Sequence, residues 1–185
     1  SITANIERVE LMKKVAADLM SRLQTSSGAR QLLTHLPKAL LLPFAKLPGC
    51  VQQSVIKKVL SQVLKPSLEL GELDFLNRNY LEVVITDVAL TFYISVEEAN
   101  LIVQSERPLG GNVSFQGNSN YMLLMMSREI DPDTLFFQRK LLMTGDTELG
   151  LEIKNFLDDF DMTQVPKVVN SALQQYGKLA AAPGA

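Results

Sequence analysis

The chain has 185 residues, of which 46% are hydrophobic and 21% charged, with a formal net charge of −2. That length and balance fit one globular domain with a core of ordinary size, and they exclude a low-complexity, collagen-like or strongly basic nucleic-acid-binding chain. One cysteine, Cys50, excludes an internal disulfide and fits a reducing compartment, and one histidine, His35, leaves little room for histidine chemistry.

Residues 5–24 predict an amphipathic helix, with Val9, Met12, Ala16, Leu19 and Leu23 recurring at spacings of three and four. Thr25-Ser26-Ser27-Gly28 ends it and works as a linker, so 1–28 is expected to be an appendage and 29–176 the body. Between Leu36 and Pro48 the prolines at 37, 43 and 48 argue against one long helix. Leu40, Leu41, Leu42, Phe44 and Leu47 still need an apolar environment, bracketed by Lys38 and Lys46. Two readings stay open for this segment: a loop packed over the core as a lid, or an interfacial membrane anchor with its lysines at anionic headgroups.

Val51–Leu64 predicts a second amphipathic helix on a stripe of Val51, Val55, Val59 and Val63, ended by Pro66. The period then changes to two. Short runs at 81–86, 88–94, 100–104 and 112–115, separated by turn residues, read as strands of an antiparallel meander. Asn118-Ser-Asn is a cap for the apolar helix Tyr121–Met126, whose methionines fit either ordinary core or an adaptable cavity wall. Asp131-Pro-Asp reads as a turn, Phe136-Phe137 as an apolar pair, and Lys140–Met143 as a strand. Asp146 is a helix N-cap, followed by the stripe Leu149, Ile153, Phe156, Leu157 and Phe160. Met162–Tyr176 reads as a last helix and 177–185 as a flexible tail.

Charge is unevenly placed. Residues 1–65 carry ten Lys/Arg against three Asp/Glu, and residues 66–185 carry eight against seventeen. A basic N-terminal part on an acidic body implies that the two face different partners. No stretch reaches the roughly 20 apolar residues that span a bilayer. Lys13, Lys14 and Asp18 interrupt the apolar residues near the N-terminus, unlike a secretory signal. The expected location is cytoplasmic, with a peripheral position at the inner membrane if the anchor reading holds.

No catalytic constellation stands out. His35 has no orienting acid nearby in sequence, and the chain has no nucleophile elbow, phosphate-binding glycine loop or zinc spacing. Asp158, Asp159 and Asp161 lack the alternating oxygen ligands of a calcium loop, so no metal is expected.

Asn112-Val-Ser-Phe, an apolar helix, and the run from Asp131 to Leu151 (DPDTLFFQRKLLMTGDTELGL) resemble the sterol-carrier-protein type-2 domain family across residues 48–165. Within it, Asp131–Lys140 and Gly145–Leu151, with Leu70–Leu76 and Val165–Lys167, are similar to bacterial accessory factors of oxygen-independent ubiquinone biosynthesis. The resemblance implies an α/β (α+β) fold. It implies a twisted, mainly antiparallel sheet of about five strands, covered by helices and enclosing an apolar lipid cavity. It also implies a non-enzymatic role without catalytic residues or cofactor. The ligand would be an isoprenoid quinone or a prenylated precursor, or alternatively an anionic phospholipid. The partners would be ubiquinone-biosynthesis proteins, including iron–sulfur hydroxylation factors, and not nucleic acid.

On that reading the lipid is lined by Phe92, Met122, Met125 and Met126, by Phe136, Phe137, Leu141 and Met143, and by Leu149, Ile153 and Phe156. A membrane surface would meet Lys38, Leu41, Leu42, Phe44, Lys46, Lys57 and Lys58.

Overall fold

The computed structural model describes residues 27–109 and 111–180. The helix expected at 5–24 and the residues after Ala180 lie outside the described residues.

Period-two alternation builds five strands: β1 (Asn79–Ile85), β2 (Leu90–Glu97), β3 (Asn100–Gln104), β4 (Gly111–Gly117) and β5 (Leu141–Gly145). They form one sheet in the order β3-β2-β1-β4-β5. The first three make the expected meander. At the β2–β3 turn Glu98 and Ala99 both take positive φ, 47° and 60°, as a two-residue hairpin turn requires.

β4 departs from the expectation. It lies beyond β1 and pairs with it in parallel, Leu81 beside Val113 and Val83 beside Phe115. The short link after β3 reads as another hairpin in sequence. Extended, its six residues reach roughly 20 Å, enough to cross β2 and β1 at about 4.8 Å per strand. β5 closes the sheet antiparallel to β4, with Met143 beside Phe115. The sheet is therefore mixed but mainly antiparallel.

Alternation sorts the faces. Leu81, Val83, Ile94, Val96, Leu101, Val103, Val113, Phe115, Leu141 and Met143 share one face, and they pack in the hydrophobic clusters. The opposite face is polar. There Arg107, on the crossing link, donates Nε–H to Tyr80 Oη at 3.1 Å, and Tyr93 donates to Glu82 at 3.1 Å. The two tyrosine rings meet edge-on with centroids 5.8 Å apart.

Seven α-helices are described: α1 (Ser27–Ala45), α2 (Gly49–Val63), α3 (Lys65–Glu69), α4 (Ser119–Met126), α5 (Pro132–Phe137), α6 (Thr147–Asp159) and α7 (Lys167–Ala180). α2 and α6 cover one half of the apolar face, and α4 and α5 the other. α1 and α7 pack on α4.

Four sequence expectations are corrected here. Pro37 and Pro43 lie inside α1, which is continuous from Ser27 to Ala45. Each proline removes one backbone donor, but the helix is held by packing on α4 and α7, and Pro37 itself is buried. Only Pro48 acts as a breaker, at the start of α2. On α2 the valine stripe faces outward, with Val51, Val55 and Val59 all exposed. The side packed against the core carries Ile56 and Leu60, continued by Leu64. Asp131-Pro-Asp opens a helix rather than a simple turn. The Asp131 carboxylate accepts from the Thr134 N–H at 3.0 Å, and Pro132 takes the first helical position, where its missing donor costs nothing. Finally, residues 177–180 belong to α7, where Leu179 and Ala180 are 6% exposed. The tail expected from 177 is helical at least that far.

Two expected caps are present. Asn118 Oδ1 accepts from the Tyr121 N–H at 2.9 Å, and Asp146 Oδ1 from the Leu149 N–H at 2.9 Å. Arg128 closes the other end of α6, donating to the carbonyls of Leu157, Asp158 and Phe160. Asp87, after β1, accepts from the Ser119 N–H at 2.8 Å and its hydroxyl at 2.7 Å. Tyr176 of α7 donates its hydroxyl to Asn120, and burial, with Asp87 adding, pushes its pKa up to about 12.

Two predictions follow from this framework. Gly145 has φ 119°, and a Cβ there would strike the Asn112 carbonyl oxygen. Gly145→Ala is expected to cost about 1–3 kcal/mol, read as a lower urea midpoint. The Tyr176 hydroxyl ionises later in the folded than in the unfolded chain, whose tyrosines titrate near 10.0. Its contribution to stability is full below that value and is lost as pH rises towards about 12. Unfolding measured across that interval is expected to show a shallower alkaline decline in Tyr176→Phe than in the natural chain.

Candidate functional site

The apolar face of the sheet carries two clusters. The first joins Ile94, Val96, Leu101, Val103 and Val113 of the strands to Leu73, Leu76, Leu149 and Ile153, with Phe75, Phe92 and Phe156 packed against them. The second joins Phe115 and Leu141 to Met122, Met125 and Leu135, with Tyr121, Ile130 and Phe136 at its edge. Leu81, Val83, Met143 and Leu157 belong to the margins of both. The two clusters are therefore one continuous apolar layer between the sheet and α2, α4, α5 and α6.

Aromatic edges articulate this layer. Phe115 meets Phe136 at 6.0 Å between ring centroids, T-shaped. Phe75, Phe156 and Phe160 form a chain with spacings of 6.3 and 5.7 Å. The charged groups around it stay at the rim: Lys140 lies 5.1 Å from the centroid of the Tyr121 ring. Lys154 bridges Asp133 at 3.1 Å and Asp158 at 3.5 Å, and its pKa is raised chiefly by the hydrogen bond to Asp133. Such an arrangement can hold an apolar chain by dispersion and desolvation, with few polar contacts to specify it.

Nine of the residues expected to line a lipid fall in this layer: Phe92, Met122, Met125, Phe136, Leu141, Met143, Leu149, Ile153 and Phe156. They pack on one another in the two clusters, as apolar side chains do at protein density. Two do not join them. Phe137 is 91% exposed and Met126 is 44% exposed. Each follows an inward-facing residue on a helix, and neighbours on a helix point about 100° apart, so Phe136 and Phe137 cannot both face in.

The expectation missed Leu135, at 1% exposure, and Phe115, at 6%. The helical spacing from Asp131 and the strand alternation from Asn112 contain the signal for both.

Two surface clefts lie elsewhere. One of about 550 Å³ is bordered by Lys57, Asn77, Glu97, Glu98, Asn100 and Ile102, and a smaller one of about 160 Å³ lies beside Tyr80 and Pro108. Their polar borders do not suit a lipid tail.

Of the residues expected at a membrane, Lys38, Leu41, Leu42 and Phe44 lie on α1, Lys46 after it, and Lys57 and Lys58 on α2. Leu41 and Phe44 are half-buried, while Leu42, Lys46, Lys57 and Lys58 are exposed. No helix among the described residues is long and apolar enough to cross a membrane.

Residues 56–158 match the SCP-2 sterol transfer family. The chain is 37% identical over 147 residues to the ubiquinone biosynthesis accessory factor UbiT of Escherichia coli strain K12, covering 79% of this chain and 83% of that protein. The UbiT of Escherichia coli O157:H7 matches to the same extent, 37% over 147 residues. Among solved structures, the ubiquinone synthesis protein UbiJ-SCP2 superposes with a TM-score of 0.49 at 15% identity, over 60% of this chain and 96% of that one. The sterol carrier protein domain 2 of Helicoverpa armigera gives 0.41 at 17% identity, over 56% and 83% of the two chains.

The opposite placement of the two adjacent phenylalanines is testable. Phe136→Ala is expected to cost about 3–5 kcal/mol, and Phe137→Ala to stay within about 0.5 kcal/mol of the natural chain. Chemical denaturation of the two variants side by side measures the difference.

Proposed function

The chain belongs to the SCP-2 sterol transfer family, and from that premise we propose that it is a lipid-binding accessory factor of ubiquinone biosynthesis. Its cargo is ubiquinone or a prenylated precursor, held on the apolar face of the sheet while the enzymes of the pathway act. The observation that carries this reading is the continuous apolar layer joined through Leu81, Val83, Met143 and Leu157. The 37% identity to a ubiquinone biosynthesis accessory factor supports the pathway.

Sequestering a prenyl tail is worth about 0.8 kcal/mol per buried CH₂, so affinity needs little polar recognition. Met122, Met125 and Met143 give the layer unbranched, polarisable side chains that repack around a flexible chain. The protein acts by presentation and not by turnover. The similarity noted at Asp131–Lys140 and Gly145–Leu151 favours the oxygen-independent branch, with iron–sulfur hydroxylation factors as partners. An anionic phospholipid is the competing cargo, favoured by the basic N-terminal part of the chain.

Lipid extraction from protein purified after anaerobic growth, followed by mass spectrometry, decides between them. The expected result is ubiquinone or a prenylated precursor in near-stoichiometric amount. Phospholipid alone would transfer the reading to the competing cargo. Protein that is empty and takes up neither when offered would overturn lipid binding altogether. Leu149→Trp, which fills the layer at a residue 6% exposed, is expected to lower bound lipid in a variant that still folds.

A further inference from the structure

β5 is the last strand of the sheet, and its outer edge is open. The Asp146 N–H donates to the Asn112 carbonyl of β4 at 3.1 Å, and Gly145 sits opposite Val113. In an antiparallel ladder the bonding residues alternate. Leu142 and Thr144 therefore bond to β4 as Asp146 does, while Leu141, Met143 and Gly145 aim their N–H and C=O groups away from the sheet. Among the described residues no group accepts from or donates to them on that side. Leu142, Thr144 and Gly145 are exposed. At the far edge α2 packs on β3, and Gln53 donates to Ser105 just after it at 2.6 Å.

Edge strands are commonly blunted by a charge, a proline or a bulge. β5 reads Leu-Leu-Met-Thr-Gly, with neither charge nor proline, and its register with β4 runs without a bulge. Leu142 is 44% exposed, and the helix leading into the strand ends on Phe137, 91% exposed. An edge so little guarded accepts another strand.

The flanking charges select which strand. Arg139 and Lys140 precede β5, and Asp146 and Glu148 follow it. A strand with cations before it and anions after it is complementary to itself when paired antiparallel. With a two-fold axis at Met143, Leu141 meets Gly145 of the second copy and Met143 meets Met143, so every outward N–H and C=O finds a partner. The same register sets Lys140 opposite Asp146 at both ends of the pairing, where opposite charges attract. Asp146 caps α6 through Oδ1, which leaves Oδ2 for the lysine. A parallel pairing in register would instead set lysine beside lysine and aspartate beside aspartate. The helix expected at 5–24 has its backbone groups bonded within itself and brings no ladder to the edge.

We propose that β5 pairs antiparallel with β5 of a second copy of this chain, joining the two five-stranded sheets into one across a two-fold axis at Met143. The pairing is short, so the dimer is weak and concentration-dependent rather than obligate. Leu141 and Met143 of both copies fall on the helix-covered face, and the two apolar layers adjoin at the axis. The pairing goes beyond the cargo reading and does not rest on it.

Sedimentation velocity of the full chain, from low micromolar to near-millimolar concentration, is expected to show monomer passing into dimer. Amide hydrogen exchange at the two extremes locates the contact. The amides of Leu141, Met143 and Gly145 are expected to slow severalfold as the dimer forms, while those of Leu142 and Thr144, already bonded to β4, change little. Leu142→Lys puts a charge on the edge from each copy and is expected to weaken the dimer by at least about tenfold, with the urea midpoint of the dilute monomer little changed. Lys140→Glu sets two carboxylates opposite each other at each end and is expected to weaken it by roughly tenfold. Adding Asp146→Asn, which keeps a side chain able to cap α6, is expected to recover part of that loss.

A monomer at every concentration would overturn the proposal. So would a dimer that Leu142→Lys leaves intact, or one whose edge amides exchange as fast as in the monomer, because another surface then holds it. Edge amides already slow in the dilute monomer would show that another part of the same chain covers the strand, with the same consequence. A loss in Lys140→Glu that Asp146→Asn does not relieve would remove the register at Met143, and the proposal with it.

Discussion

The parallel pairing of β1 with β4 sets the register on which the apolar layer depends. It places Leu81 beside Val113 and Val83 beside Phe115, at the middle of the sheet, with side chains on the helix-covered face. β2 and β3 extend this ladder on one side, through Ile94 and Val103, and β5 on the other, through Met143. A shift of one residue would turn every one of these side chains to the polar face. The crossing link is the cost of this arrangement, and its residue Arg107 is tied to Tyr80 on the polar face. The hydrogen bond to Tyr80 raises the Arg107 pKa.

The helices pack on this sheet through apolar side chains, and polar side chains set where they begin and end. Asn118, Asp131 and Asp146 each accept a backbone N–H in the first turn of the helix that follows. Arg128 gathers three carbonyls at the end of α6. Within the Asp131–Leu157 stretch, Asp131 and Asp146 are thus used in starting helices, Asp133 pairs with Lys154 at the surface, and the layer beneath is left to hydrocarbon. That division explains why the region is rich in carboxylates without forming a polar site. Asp161 follows the same rule, its pKa lowered by the hydrogen bonds it accepts from Thr163.

What could be read from the sequence was the local chemistry. Asp146 before a helical stripe, Asn118 before an apolar run and alternation in 100–104 each carry their own cause within a few residues, and each is present in the structure. What could not be read was non-local or two-valued. The partner of β4 depends on where a link travels, and no residue in it announces the crossing. On α2 two apolar stripes compete, Val51-Val55-Val59 and Ile56-Leu60-Leu64, and periodicity alone does not say which one the sheet will cover. Phe136 and Phe137 are chemically alike, and only the helical turn begun at Asp131 separates them. The prolines of α1 misled for a related reason: propensity treats them as breakers, whereas packing on α4 and α7 outweighs two missing hydrogen bonds.

The packing of the apolar layer bears on how a ligand would enter it. A tail that inserts between the sheet and its helices must replace contacts already made, so its gain is the surplus over those contacts and not the full transfer energy. The junction between the clusters is where that replacement is least demanding. Leu81, Val83, Met143 and Leu157 there are only partly buried, whereas Val113 and Leu141 on either side are at 0% exposure. Met143 also lies against Gly150 of α6, where no side chain intervenes between helix and strand. A side chain with three rotatable bonds facing a residue with none is a place where the layer rearranges without moving the backbone.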